Sequence, residues 1–503
     1  MAIRRNISAN FVGQGYQLAI RLITTPMYLA LMGPEGYGLV GVYLLFLGIM
    51  QLFNFGLSAT MSREIARMRG GAVSVAAVRR RLIRLAMMLS VIALAFVTLV
   101  GIAAPTIVTR WLKVATLPLD ETVACLRLLA VAAALGFVTG LYKAGLLGLE
   151  RQVRLNALNM VITTLRFVGV FGVLLLISAR PIAFSLFQVA AGVVEIIVTV
   201  AFFYRHLPAA EPDSAPATES SNVFHRFAGG LAFTDMVWAA LMQTDRVVLS
   251  TALPLAEFAF FTVTATAAFG VMLLFSPVYQ ALQPRFAMLA ASGQLDELRA
   301  LYFKASHGAA ALSFSAGAVL AAFPREIVYA WTGNAAAADW AVPVLPLYAL
   351  GYACIGIGSL PFLLQFALGK IRLHVIGHII AAIVCIPAIV TLGLAWGGFG
   401  TGLACLATNF GYLALWVPVI HAQLLPGQHG HWLLRHILPA AASAAVVVLI
   451  ERLIPLPASR VGSGLELVAF GTMALGASLL TSTVFRREIR GQLVALFRRA
   501  ARP

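Results

Sequence analysis

About fourteen apolar stretches, each long enough to cross a lipid bilayer, recur along the 503 residues of this chain. A membrane-spanning helix needs about 20 mostly apolar residues. Hydrophobic residues fill 61% of the positions and charged residues 11%, which is more apolar surface than a water-soluble core can bury. The sequence therefore predicts an all-α polytopic membrane protein with about 14 transmembrane helices, near residues 10–31, 37–60, 83–109, 122–149, 157–177, 182–203, 227–252, 258–283, 305–330, 342–368, 374–395, 399–421, 437–455 and 464–484.

The 36 Lys and Arg residues are distributed unevenly between the two ends of these helices. If the N-terminus is cytoplasmic, 25 of them fall in cytoplasmic segments, six in outward-facing segments and five within helices. An excess of Lys and Arg marks the cytoplasmic side of a membrane protein. We therefore predict that both termini are cytoplasmic, and that the net charge of +17 reflects membrane orientation and not a nucleic-acid partner.

Motifs for nucleotide, metal or catalytic sites are missing from the sequence. It has no GxxxxGK[ST] phosphate loop, no HExxH and no CxxC, and its four cysteines all lie in apolar stretches, as expected of core residues. The outward loops are also too short to hold a catalytic domain. We therefore expect no metal, no cofactor and no enzyme activity.

The two halves of the chain share features at a shift of 221 to 222 residues. Under this shift Arg63 meets Arg285, and Leu147-Gly148 meets Leu368-Gly369. Because each half holds six helices, the repeat is parallel, and transporters built this way bind substrate near the midplane between the repeats. The predicted domains are an N-lobe with helices 1–6, a cytoplasmic linker, a C-lobe with helices 7–12, and helices 13–14 with a basic tail; their residues are 1–207, 208–226, 227–425 and 426–503.

Several short motifs in this order resemble those of the polysaccharide transporters, or O-antigen flippases, of the multidrug/oligosaccharidyl-lipid/polysaccharide exporter superfamily. They are Asn10-Phe-Val-Gly13, Gly33-Pro-Glu-Gly-Tyr-Gly38, Phe55-Gly-Leu57 with Ser62-Arg63, Asp245-Arg246, Pro284-Arg285 and Leu368-Gly369. Helices 13 and 14 exceed the twelve typical of O-antigen flippases and match the number in the related lipid II flippases. The resemblance implies a flippase that moves a polyprenyl-diphosphate-linked oligosaccharide to the outer leaflet of a bacterial inner membrane by alternating access.

Two arginines lie deep within predicted helices, where a charge is costly and marks a functional position by default. Arg21 in helix 1 and Arg166 in helix 5 are each about 14 to 17 Å from a helix end. We predict that both line a substrate cavity, with a structural intramembrane ion pair as the alternative. Arg127 and Lys143 lie nearer the ends of helix 4, so we expect their side chains to reach the membrane interface.

Acidic residues complete the set of candidate cavity residues. Glu195 in helix 6 is expected either to pair with Arg166 or to be buried as a neutral acid. Helix 7 carries Asp235, Asp245 and Arg246, and adjacent residues on a helix cannot face one another. The repeat places Asp245 at nearly the depth of Arg21, which predicts a salt bridge between them in one conformation.

The resemblance and the midplane charges together favour an anionic lipid-linked substrate. Guanidinium groups bind phosphate oxygens in a bidentate way. The expected partners are the lipid-linked oligosaccharide, membrane lipids, H⁺ or Na⁺ with Asp245 as the coupling residue, and glycan polymerase and export machinery. Two alternatives stay open: a cation-coupled multidrug exporter of the same superfamily, and a membrane glycan polymerase or ligase.

The predicted orientation can be tested by thiol labelling in intact cells. A cysteine replacing Ser214 in the linker should resist a membrane-impermeant reagent, because the linker is predicted to be cytoplasmic. A cysteine replacing Ala115 in an outward loop should react. Equal labelling at the two positions would overturn the orientation.

Overall fold

A computed structural model describes residues 2–54, 56–69, 71, 73–208, 222–457, 459–482 and 485–486. These residues form α-helices and four short π-helical turns, and they contain no strand. The all-α prediction is therefore confirmed. Nearly all of the predicted linker and most of the basic C-terminal tail lie outside the described residues.

The first of two compact units comprises Met1–Ala259. Its helices are α1 (Ala2–Leu52), α2 (Leu57–Arg69), α3 (Val75–Thr106), α4 (Leu119–Gly148), α5 (Gln152–Thr163), α6 (Val170–Leu176), α7 (Pro181–His206), α8 (Asn222–Ala252) and the start of α9 (Leu255–Ala291). A π-helical turn extends α3 over Ile107–Trp111, and another joins α5 to α6 over Thr164–Gly169. This unit thus includes α8, which the sequence repeat assigns to the second lobe.

The second unit comprises Phe260–Pro503. After the rest of α9 it contains α10 (Leu295–Ala322), α11 (Pro324–Thr332), α12 (Ala335–Ala341), α13 (Leu345–Ala367), α14 (Arg372–Gly411), α15 (Val417–Leu424), α16 (His429–Trp432), α17 (Leu438–Glu451) and α18 (Arg460–Leu480). Two π-helical turns, Tyr412–Trp416 and Leu433–Ile437, join α14 to α15 and α16 to α17.

The number of membrane spans agrees with the sequence. Within the described residues, 11 helical segments are long and apolar enough to cross a membrane. Two of them, Gly15–Leu52 and Arg372–Leu424, are each divided by a glycine with non-helical backbone angles and so supply two spans each. With α8, the predicted seventh helix, the total is about fourteen.

One predicted helix ends earlier than the sequence indicates. The apolar stretch 305–330 was expected to be continuous, but α10 ends at Ala322 and Pro324 begins the short helix α11. Proline favours the first turn of a helix, because it has no N–H to donate to the preceding turn. The predicted C-terminal end of the ninth membrane helix, residue 330, therefore lies about two turns beyond the observed end of α10.

Gly33 makes the turn between the first two spans. Its φ of 72° lies in the left-handed region, which glycine enters without a steric penalty. Pro34 follows and starts the next helical segment, where its missing N–H costs nothing. The Gly-Pro pair thus separates two helical segments at a kink, and it places Glu35 in the first turn of the second segment.

The carboxylate of Glu35 fastens this turn to the loop before α4. Its Oε1 atom accepts a hydrogen bond from the backbone N–H of Ala115 at 2.8 Å. Its Oε2 atom accepts from the N–H groups of Thr116 and Leu117, each at 2.9 Å, and from the Thr116 hydroxyl at 2.6 Å. The glutamate of the Gly33–Gly38 motif therefore has a structural function, since it satisfies three backbone donors that no helix would satisfy.

Helix α4 is the packing centre of the first unit and lies against α1, α2, α3 and α7. Gly145 and Gly148 allow this close packing. A Cβ atom on Gly145 would collide with the Phe203 ring of α7, and one on Gly148 would collide with the backbone carbonyl of Ser62 in α2. Small residues at such contacts let membrane helices approach closely enough for dispersion forces to hold them.

We expect Glu35→Ala to lower the stability of the purified protein by at least about 2 kcal/mol, because three backbone N–H groups lose a charged acceptor. Thr116→Val is the matched control, since it removes only the hydroxyl bond and should cost about 1 kcal/mol or less. Thermal unfolding in detergent measures both. Equal effects of the two substitutions would contradict a structural function for the whole carboxylate.

Candidate substrate-binding site

Arg166 lies in the π-helical turn Thr164–Gly169 that interrupts the fifth span. Single π-helical turns are uncommon and are found often at functional sites. The side chain is only 8% exposed although it carries a full charge. A buried guanidinium at this depth requires an acid and further hydrogen-bond acceptors to offset its desolvation.

The acid is Glu195 of α7, which holds two cations at once. Its Oε2 atom lies 2.9 Å from Nε and 2.6 Å from Nη2 of Arg166. Its Oε1 atom lies 2.6 Å from Nζ of Lys143 in α4. The ion pair, one of the two states expected for Glu195, is the one that forms. The expectation that Lys143 reaches the membrane interface is wrong, because this acid draws its ammonium group inward.

Two polar side chains complete the contacts of Arg166. Its Nη1 donates to the hydroxyl of Tyr43 at 2.7 Å and to Oε1 of Gln188 at 3.4 Å. The Gln188 amide in turn donates to the backbone carbonyl of Arg166 at 3.1 Å. Most of the five guanidinium N–H groups are thus occupied within the protein, so this arginine forms the structural ion pair that was the alternative to lining the cavity.

Arg21 differs from Arg166 because it is an exposed residue, whereas Arg166 is buried. Arg21 lies about twelve residues, or 18 Å, before the turn at Gly33. Its guanidinium carbon is 6.0 Å from the centre of the Phe167 ring, a distance suited to a cation–π contact. Among the described residues no carboxylate forms an ion pair with Arg21, so the predicted Arg21–Asp245 salt bridge is not formed in this conformation.

Arg246 of α8 is half-buried and lies within electrostatic range of Arg21. Its Nη1 donates to Oε1 of Gln243 at 3.4 Å. Gln243 itself packs against Gly48 of α1, where a Cβ atom would overlap its amide. The missing side chain at Gly48 thus makes room for the residue that orients Arg246.

The remaining sequence candidates are the two aspartates of α8. Asp245 is 8% exposed, and its Oδ1 atom accepts the backbone N–H of Arg246 at 2.7 Å. Asp235 lies on the same helix, and its side chain lies outside the part of the chain that the structure describes.

Arg21, Arg246, Arg166 and Lys143 form one connected basic face of the first unit. Tyr43 links two of them, since it bonds to Arg166 and interacts electrostatically with Arg21. Tyr37 interacts in the same way with Arg21 and Arg246. Among the side chains that the structure describes, these four cations face two carboxylates, Glu195 and Asp245, which leaves an excess of two positive charges.

Several members of this face could not be found from the sequence. Lys143 lies too near a helix end to be singled out by depth, and Tyr43 and Gln243 are ordinary residues of apolar helices. The signal that the sequence does contain is the pairing of Glu195 with a basic residue at similar depth. Depth within a predicted helix identified Arg166, and Glu195 was its expected partner, but neither pointed to Lys143 as a second cation.

Comparison with known proteins identifies the family. The family model described as "Polysaccharide biosynthesis protein" matches residues 3–290, more than half of the chain. No curated protein matches the sequence at a significant level.

Solved structures show the same fold at low sequence identity. Lipid II flippase MurJ in an inward closed conformation superposes with a TM-score of 0.67 at 14% identity, over 96% of this chain and 98% of that chain. An inward-facing multidrug resistance MATE family transporter of the MOP superfamily gives 0.62 at 15% identity, over 80% and 95%. A MOP superfamily transporter from Pyrococcus furiosus gives 0.52 at 14% identity, over 84% and 96%.

The chain belongs to the polysaccharide biosynthesis protein family, and it is a multi-pass membrane protein with the fold of the MOP superfamily transporters.

Proposed function

We propose that this protein is a flippase that moves a polyprenyl-diphosphate-linked oligosaccharide from the cytoplasmic to the outer leaflet of the inner membrane, with both termini cytoplasmic. The observation that carries the proposal is Arg21, an exposed residue in the middle of a membrane helix whose guanidinium forms no ion pair among the described residues. An arginine at that depth is costly against lipid, so it faces water or an anionic ligand. A diphosphate is the anion that such a lipid-linked glycan provides.

Arg21 has the free donors that this ligand needs. Its guanidinium contacts the Phe167 ring, and the hydroxyls of Thr24 and Thr25 bond its backbone carbonyl, so the guanidinium N–H groups have no acceptor among the described residues. A planar guanidinium binds two oxygens of one phosphate at once. Arg246 lies within electrostatic range and supplies a second cation for the other phosphate.

The charge of the basic face also separates this proposal from its main alternative. An exporter of organic cations needs acids that outnumber the basic groups around its substrate. Here two positive charges are in excess, and the deeply placed acid Glu195 is already shared by two cations. The basic face therefore supports an anionic substrate over a cationic drug.

The ion cluster around Glu195 positions the parts that meet the substrate. Arg166 and Phe167 are neighbours in one π-helical turn, and Phe167 is the ring on which Arg21 rests. The Phe167 carbonyl also accepts a hydrogen bond from the Tyr28 hydroxyl of α1 at 2.6 Å. Fixing Arg166 therefore fixes the turn that orients Arg21.

The other partners follow from the substrate. Its polyprenyl tail can remain in the lipid, and the flipped glycan would be taken up by polymerase and export machinery on the outer face. Asp245 is the proposed coupling residue for H⁺ or Na⁺, because it is a buried carboxylate whose neighbour Arg246 belongs to the basic face.

Arg21→Ala should reduce glycan export at least about tenfold while the protein level stays normal, because a charged hydrogen-bond donor to the substrate is lost. Arg21→Lys should retain part of the export, since it keeps the charge but loses the bidentate geometry. Export is measured as surface glycan together with the lipid-linked intermediate that accumulates in the inner leaflet.

The matched control is Arg127→Ala, which removes an exposed arginine within α4 that donates to the carbonyl of Gly101. Export should be close to normal in this variant. If Arg21→Ala exports as well as Arg127→Ala, Arg21 does not bind the substrate and the proposal fails.

Arg166→Met should act on stability instead. It leaves Glu195 with Lys143 alone, and breaking a buried ion pair from one side costs about 3 kcal/mol. Glu195→Gln should cost more than Arg166→Met, because it leaves two cations, Arg166 and Lys143, without their carboxylate. Thermal unfolding in detergent compares the three proteins. Wild-type stability in Arg166→Met would show that this arginine is not a structural residue.

A further inference from the structure

Five of the nine histidines of the chain gather in the second unit, where α10 meets the last two membrane spans. His307 lies on α10, His421 on α15, His429 and His431 on α16, and His436 in the π-helical turn Leu433–Ile437. The basic face does not involve them. Helices α17 and α18 have no counterpart in the sequence repeat, so what attaches them to the rest of the unit is specific to this end of the chain.

His307 makes the most informative contacts of the five. Its ring is fully buried. Nδ1 lies 3.1 Å from the backbone carbonyl oxygen of His436, just before α17. Nε2 lies 3.1 Å from the backbone carbonyl oxygen of Ser478, in the last turn of α18. One imidazole therefore bridges three helical segments through two carbonyl groups.

If the His307 ring is neutral, it has only one N–H group for these two carbonyl acceptors. A neutral imidazole has one N–H donor and one acceptor nitrogen, whereas a backbone carbonyl can only accept. The neutral ring would thus hold one lone pair against a carbonyl oxygen, which is repulsive. With a second proton, both nitrogens donate and both contacts become charge-assisted hydrogen bonds.

We propose that His307 is a proton-binding site, and that its imidazolium form fastens α17 and α18 to α10. The ligand is H⁺, and the acceptors are the carbonyls of His436 and Ser478. The inference does not depend on the proposed transport function or on the basic face. If the proposal holds, the attachment of α17 and α18 to α10 becomes stronger or weaker with pH.

The surroundings contain groups that favour the charge and groups that oppose it. The Ser478 carbonyl lies in the last turn of α18, where the helix dipole stabilises a cation. Burial opposes the charge, and so do nearby basic groups: Lys304 one turn earlier on α10, and His436, which itself lies near His431 and Arg435. Within the described residues, no carboxylate forms an ion pair with His307.

One neutral arrangement competes with the proposal. The Thr481 hydroxyl lies 3.5 Å from Nε2 and could donate to a neutral ring, but it lies 2.7 Å from the Ser478 carbonyl and donates there at much better distance. Thr481→Val separates the two cases. It should leave the protonation of His307 unchanged if the ring is an imidazolium, and it should remove the partner of Nε2 if the ring is neutral.

Histidine ¹⁵N NMR of the full-length protein in lipid nanodiscs tests the proposal directly. The signals of His307 are assigned by their loss in His307→Gln. Because burial and the basic neighbours oppose the charge, the measurement is made at about pH 5, where we expect both ring nitrogens to carry a proton in wild type and in Thr481→Val alike. A single-proton tautomer at that pH in the folded protein would overturn the proposal.

Hydrogen–deuterium exchange supplies the second readout. The proton adds a hydrogen bond only while α17 and α18 are docked, so docking should be stronger below the titration of the site and weaker as pH rises through it. After correction for intrinsic exchange, protection of α17 and α18 should fall about fivefold from about pH 5 to about pH 7. The fall should vanish in His307→Gln and persist in the control His429→Gln. A pH dependence that is equal in the two variants would contradict the attachment.

Discussion

The Glu195 carboxylate is the interaction on which the interior of the first unit depends. It binds Arg166 and Lys143 at once and so joins three membrane spans in a region where water cannot solvate a charge. The cluster still carries one positive charge, and it fixes the π-helical turn whose Phe167 ring supports Arg21. A structural ion pair and an exposed cation are thus parts of one arrangement, in which the first keeps the second in position.

Glycine residues, which have no side chain, determine how closely the helices of the first unit pack. Gly33 forms the kink between the first two helical segments, Gly48 makes room for Gln243, and Gly148 lets α4 touch the backbone of α2. In a membrane, helices gain little from the hydrophobic effect when they associate, so close approach and hydrogen bonds have to supply the attraction. The Glu35 carboxylate adds to this by fixing the loop before α4 with four hydrogen bonds.

The sequence predicted the class of fold and most of its spans because a bilayer imposes one length and one composition on every crossing helix. The predictions from sequence are wrong where the length and composition of a helix carry no information. The break at Pro324 was missed because both sides of it are apolar, and Lys143 was assigned to the interface because depth alone cannot reveal a buried acid nearby. The placement of α8 with the first unit also differs from the repeat, which describes sequence similarity and not packing.

The sequence by itself determined the number of spans and the family. It also determined that some charged side chains lie too deep within membrane helices to be solvated by bulk water. Only the tertiary structure decided what each charge does. Arg21 and Arg166 look alike in sequence, yet one is exposed and the other is enclosed by Glu195, Tyr43 and Gln188. The physical reason is that a charge in a membrane is defined by its partners, and those partners come from helices far apart in the chain.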